Sequence, residues 1–227
     1  MIASAAADVR RRVLRSSDRF WHVEDFDGDP HAVVLQLRRL VEAGQLERVR
    51  RGVYWRGRKT RFGMAVPPAV AAVREIVGDS EAVGAAGWHA TNMLGLSTQV
   101  SPTPVVAVTQ RPPTGLRGIR VINRASRVGR RLTKLNEVEV TLFEALEGWE
   151  RYVELDRAEA LDRFAKLLKR SDVRVNRLVR AAETESPRVR ERLRAVLMHA
   201  GLHKEAAKIE GARHRSSRER ALAVLSD

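Results

Sequence analysis

Residues 37–54 read LRRLVEAGQLERVRRGVY, and the fold is decided there. Leu37, Leu40 and Val41, together with Val34 upstream, fall at helical spacing, which predicts a helix from about Pro30 to Ala43 with these four residues as its buried stripe. Gly44 follows where a helix C-terminus favours a left-handed residue. Leu46-Glu47-Arg48-Val49-Arg50 then alternates apolar and polar, the period of a half-buried strand. Arg51-Gly52 supplies a turn, and Val53-Tyr54-Trp55-Arg56 returns as a second strand. Upstream, Asp27-Gly28-Asp29-Pro30 is a turn that hands the chain to the helix with Pro at its first position. A short helix is expected around Trp21 to Phe26. Ile2, Ala6, Val9 and Val13 place another over residues 3 to 16. Helix, turn, helix and then a basic hairpin is the order of a winged helix-turn-helix.

That unit is expected to occupy residues 1–62, with a second domain over 68–227. In the middle part, 68–134, helices are expected at Ala69 to Val77 and Glu81 to Leu94. The β-branched runs 104–109 and 118–123 are expected to form a hairpin around Pro112-Pro113 and Gly115. From Leu135 to Asp227 the pattern is helical, with breaks near Gly148, Ser171-Asp172, Ser186-Pro187, Gly201 and Gly211. The expected class is therefore α+β and mostly helical: an N-terminal winged helix-turn-helix, a helix and β-hairpin middle region, and a helical C-terminal region.

Charge says what such a unit meets. The chain carries 42 Lys+Arg against 28 Asp+Glu, a net +14 that attracts polyanions, of which phosphate backbones are the commonest. Two stretches are free of acids, Arg48 to Arg61 and Arg111 to Lys134. In the C-terminal third the signs alternate, as on a solvated helix surface. In a winged helix the helix at 30–43 enters the major groove of double-stranded DNA and the hairpin lies along the backbone. His31, Leu35, Arg38 and Arg39 are candidates for the helix face toward bases. Arg48, Arg50, Arg51 and Arg56 are candidates on the wing. From the second run, Arg117, Arg120, Arg124 and Arg127 are expected to extend the DNA footprint. An acidic protein partner, or internal pairing with Glu137, Glu139 and Glu144, would draw the same charge.

The stretch 37–54 resembles the N-terminal domain of the AbiE-type antitoxins of the abortive-infection, type IV toxin–antitoxin family. ATNMLGLSTQV at 90–100, followed by Pro102, is similar to the middle domain of that family. The resemblance covers residues 20 to about 125. It implies an antitoxin whose winged helix represses its own operon at promoter repeats, and whose larger C-terminal part counteracts a co-encoded nucleotidyltransferase-like toxin. A ligand-responsive regulator of other genes, without a toxin, is the alternative.

Catalytic chemistry is not expected. A nuclease joined to such a winged helix needs an Asp and a Glu-x-Lys on neighbouring strands to hold a divalent cation. The candidate strands lack a carboxylate, and no Glu-x-Lys occurs. Phosphate-binding loops of the Gly-x-x-x-x-Gly-Lys and G-x-G-x-x-G kinds are missing too. His199 and His203 are four apart, but Gly201 between them breaks the helix that a shared metal would need. His89 has no nucleophile beside it and is expected to pack or cap. No cofactor, metal or catalytic residue is expected. The lack of Cys rules out disulfides and thiolate metal sites, and with no apolar run long enough for a bilayer it points to a cytoplasmic protein without a membrane partner.

Overall fold

The computed structural model describes residues 5–212 and 214–225. The fold is α+β, about half helical with small sheets. The chain divides into two compact units. The first comprises the described residues up to Glu75 together with Thr114–Arg117, and so runs beyond residue 62; the second comprises Ile76–Pro113 and the residues from Gly118 onward. Among the described residues no helix is long and apolar enough to cross a membrane.

In the first unit, α1 (Ala5–Arg15) buries Val9 and Val13; Ile2, expected on the same stripe, lies outside the described residues. Residues expected to form a short helix instead give strand β1 (Arg19–His22) and one 3-10 turn, Val23–Asp25. The reason is tertiary. β1 pairs along its length with β3 (Val53–Arg56), and strand preference is largely a matter of such neighbours. Trp21 then points into the core, stacks on Phe26 at 5.1 Å, and donates from Nε1 to Ser16 Oγ. Helix α2 (Pro30–Glu42) starts on Asp29, whose carboxylate accepts from the backbone N–H groups of His31 and Ala32. It stops at Gly44, with φ of 65°. Its buried stripe is Val33, Leu37 and Leu40. Val34, expected inside, is 42% exposed, because at 3.6 residues per turn Val33 lies on one stripe with Leu37 and Leu40, whereas Val34 falls about 120° around the helix from Leu40. Strand β2 (Glu47–Arg50) pairs with β3 and carries a bulge between Arg48 and Arg50. The sheet order is β1-β3-β2, all antiparallel. A two-stranded hairpin follows, β4 (Lys59–Thr60) and β5 (Gly63–Met64), and then α3 (Ala69–Val77).

The second unit holds strand β6 (Val83–Ala86), helix α4 (Trp88–Met93), and strands β7 (Val105–Val108) and β8 (Arg120–Asn123). Two expectations fail here. Residues 81–94 are not one helix, since Val83–Ala86 pairs antiparallel with β7. The runs 104–109 and 118–123 are not a hairpin either. β8 lies parallel to β7, so residues 109–119 form a crossover rather than a turn. The C-terminal region is helical, as its pattern indicates: α5 (Val128–Leu132), α6 (Glu137–Glu147), α7 (Trp149–Tyr152), α8 (Arg157–Leu168), α9 (Val175–Ala181), α10 (Pro187–His199), α11 (His203–Ala207) and α12 (Arg215–Leu222). Helix α6 is the centre of this unit. Gly84 of β6 leaves it room: a Cβ there would stand 2.7 Å from Val140 Cβ. Thr141 Oγ1 accepts from the Ala85 N–H, and Leu142, Phe143 and Leu146 join the main core.

Charge is buried beside this core. Arg130 is fully buried, donating from Nη1 to Glu144 at 2.6 Å and from Nε and Nη2 to Glu185 at 2.6 and 2.9 Å. Arg124 forks onto the same Glu144 at 2.8 and 2.9 Å. Burial by itself would raise the Glu144 carboxyl, but the charges of Arg130 and Arg124 and their hydrogen bonds outweigh it and hold it below the ordinary carboxylate range. Arg192, also fully buried, donates to the Leu146 carbonyl at 2.6 Å, satisfying the C-terminal end of α6.

Arg130→Ala should cost about 3–5 kcal/mol of stability, since it leaves carboxylates desolvated without their partner; a lowered urea midpoint with wild-type secondary structure before unfolding checks this. A second expectation concerns acid. The folded pKa of Glu144 lies below its unfolded value, so its contribution is complete above about pH 4.5 and is lost as pH falls through the lower folded pKa. Glu144→Gln should be less stable than wild type near neutrality, and its urea midpoint should decline less steeply between about pH 4.5 and 3.

Candidate nucleic-acid interface

The first unit brings together the outer side of α2 and the β2–β3 hairpin. Asp29 and Gly44 fix where α2 begins and ends, and the buried Val33, Leu37 and Leu40 fix its rotation. His31, Leu35, Arg38 and Arg39 are thereby all turned outward, with Leu35 49% exposed. Arg38 donates to Glu42 one turn on at 2.9 Å, an exposed pair that leaves its guanidinium accessible. Across from the helix, Gly52 takes φ of 82° in the wing turn, next to exposed Arg51.

Between helix and wing lies a groove of about 720 Å³. Val34 and Tyr54 line its apolar part. Arg38, Arg48, Arg51 and Arg117 line its cationic part beside His31, with Glu42 as the one carboxylate among the lining residues. Arg117 reaches it from the Thr114–Arg117 segment that belongs to the first unit, so it stands before β8 rather than at its start. Sequence reasoning missed Val34 and Tyr54 as groove residues. For Val34 the signal was present in the helical spacing, which puts Val33 rather than Val34 on one stripe with Leu37 and Leu40.

The other candidates separate clearly. Arg50 is half-buried, and Arg120 is exposed at the start of β8. Arg56 is not on the wing surface. It is 8% exposed and donates from Nη1 to the Gln45 carbonyl at 2.9 Å, tying the end of β3 to the segment after α2. Arg124 and Arg127 are likewise withdrawn from the expected interface. Arg124 is held by Glu144; Arg127 lies 3.6 Å from Glu185 and donates to the Thr184 carbonyl. Carboxylates distant in sequence neutralise them, so much of the second basic run is structural. Internal pairing rather than DNA accounts for these two residues. Glu144 is the partner among those considered, whereas Glu139 pairs with Arg174.

His89, on α4, places Nδ1 3.2 Å from the Val105 carbonyl, a packing contact. His199 ends α10, with Nε2 2.7 Å from Asp162, and His203 opens α11. Among the described residues no group of three or more His, Cys, Asp or Glu is placed to hold a metal ion.

The architecture is similar to that in the crystal structure of the RV2827C protein from Mycobacterium tuberculosis, with a TM-score of 0.50 over 100% of this chain and 83% of that one. At 15% identity the likeness is one of fold. No curated protein matches the chain in sequence. A family profile, described as a family of unknown function (DUF6088), matches residues 13–174, from the end of α1 to the residue before α9. The chain belongs to the DUF6088 family.

Proposed function

We propose that this protein is a DNA-binding antitoxin that represses its own operon and counteracts a cognate nucleotidyltransferase-like toxin. The observation that carries the DNA-binding part is the basic groove between α2 and the wing. In it Arg38, Arg48, Arg51, Arg117 and His31 converge with a single carboxylate among them. Arg39 and Leu35 extend the same helix outward. A helix so placed enters a major groove, and the flanking wing arginines meet phosphates. The antitoxin part rests on the resemblance of residues 37–54 and 90–100 to the AbiE-type family. Neither an enzymatic step nor a cofactor has a place in this reading.

Two measurements test it. Fluorescence anisotropy on the promoter upstream of the protein's own operon should show tighter binding than on random duplex. Arg48→Ala with Arg51→Ala should weaken both duplexes alike and lower the log–log salt slope by up to about 1.8, roughly 0.9 for each phosphate no longer neutralised. Equal affinity of the wild type for promoter and random duplex would overturn the repressor reading. Arg39→Ala should instead relax the preference at one base position, by about 1–3 kcal/mol for a bidentate guanine pairing; scanning each base of the site detects it. A uniform loss over every sequence would assign Arg39 to the backbone.

A further inference from the structure

We propose that the β4–β5 hairpin is a second DNA-contacting arm, which enters a minor groove with Phe62 as an apolar wedge between base steps. The proposal rests on the reading of the first unit as a duplex-DNA binder and adds a site outside the helix and wing. Single exposed apolar side chains are ordinary on protein surfaces. Phe62 differs in where it is held. It is 86% exposed at the tip of a two-residue turn, beside Arg61, whose guanidinium lies 4.6 Å from the ring centre. Lys59 stands on the first strand of the hairpin, and neither Lys59 nor Arg61 pairs with a carboxylate among the described residues.

The hairpin is built to present that tip. Thr60 Oγ1 donates to the Gly63 carbonyl at 2.8 Å and accepts from the Phe62 N–H at 3.1 Å, while Gly63 takes φ of 112°. At the base, the Ala65 N–H donates to the Arg58 carbonyl, and Trp55 Nε1 donates to the Ala65 carbonyl at 2.8 Å. Gly57 packs so closely on the Ala65 carbonyl that no side chain fits there. Asp18 takes φ of 51°, accepts from the Arg58 N–H, and pairs with the Arg58 guanidinium at 2.7 Å.

Cations beside one aromatic wedge on a narrow arm match the chemistry of a minor-groove binder, in which Arg and Lys follow the groove and an apolar side chain unstacks a base step. Single-strand binders instead use several aromatics as a platform. The chain from the wing turn at Gly52 to Arg61 spans at most about 30 Å. That is less than one duplex turn of about 34 Å and bounds how far apart wing and arm lie, the two leaving β3 at its opposite ends.

The test uses the full chain and a duplex carrying its promoter, with end-to-end energy transfer reporting bend and anisotropy reporting affinity against salt. Wild type should kink the duplex within the roughly 20–90° range of apolar wedges. Phe62→Ala should abolish the kink with the salt slope retained, Phe62→Leu should keep it, and Lys59→Ala with Arg61→Ala should lower the slope by up to about 1.8. All three side chains are exposed, so melting curves should match wild type. If these variants bend and bind as wild type does while Arg48→Ala with Arg51→Ala binds more weakly, the arm does not touch DNA and the proposal fails alone. If wild type does not bind duplex DNA, the underlying reading fails and takes this one with it. Loss of single-strand binding by Phe62→Ala, with duplex bend and affinity intact, would overturn the proposal in favour of a single-strand site.

Discussion

A strand bonded on both edges leaves its neighbours no choice of conformation, and Val53–Arg56 is such a strand. Its backbone groups are shared between Arg19–His22 and Glu47–Arg50, and a buried amide left unpaired would cost as much as a missing hydrogen bond. That demand turns residues 19–22 into a strand, sets the wing beside the helix that carries Arg38 and Arg39, and directs the chain at Gly57 into the second hairpin. The side chains of β3 complete the arrangement. Tyr54 faces the core of the first unit, Trp55 packs on Phe20 at 4.6 Å, and Arg56 reaches back to Gln45.

The second unit is organised by a different necessity, the neutralisation of buried charge around α6. Glu144 and Glu139 are both buried on a helix that is otherwise mostly apolar. Each is met by arginines from other elements: Glu144 by Arg124 and Arg130, Glu139 by Arg174. Burial disfavours the charged form of each partner, and only the paired arrangement offsets it. Arg130 also binds Glu185, so α5, α6 and the segment before α10 are joined at one fully buried guanidinium. Such a network is costly to break and specifies a single packing of the helices.

The two acid-free runs thus have different fates. The first, Arg48 to Arg61, keeps most of its cations at the surface of the wing and the second hairpin, and loses only Arg56 to the interior. The second, Arg111 to Lys134, sends Arg124, Arg127 and Arg130 to carboxylates and leaves Arg117 in the groove beside α2. Part of the 42 Lys and Arg is therefore taken up in internal ion pairs, while Arg38, Arg48, Arg51 and Arg117 stay together on the groove of the first unit.

Sequence alone determined what local chemistry controls. Asp29-Pro30 and Gly44 bound α2 because a cap and a left-handed glycine act within one turn. Arg51-Gly52 makes the wing turn for the same reason. The helices from α6 onward, and the breaks at Gly148, Ser186-Pro187 and Gly201, follow from periodicity and punctuation. His31, Leu35, Arg38, Arg39, Arg48 and Arg51 were legible as outward residues because they fall off the apolar stripe of α2, on the polar phase of the strand or in its turn. Tertiary structure decided the rest. Arg19–His22 is a strand because residues more than thirty positions away pair with it. β7 and β8 are parallel, joined by a crossover over residues 109–119, although two short β-branched runs around a Pro/Gly loop carry the same local signal as a hairpin. Arg124 and Arg130 are internal because Glu144 and Glu185 lie opposite them, 20 and 55 residues along the chain. An arginine carries the same charge in a solvated run as in a buried pair. Which it becomes depends on the carboxylate that the fold brings within about 3 Å, and no local pattern holds that information.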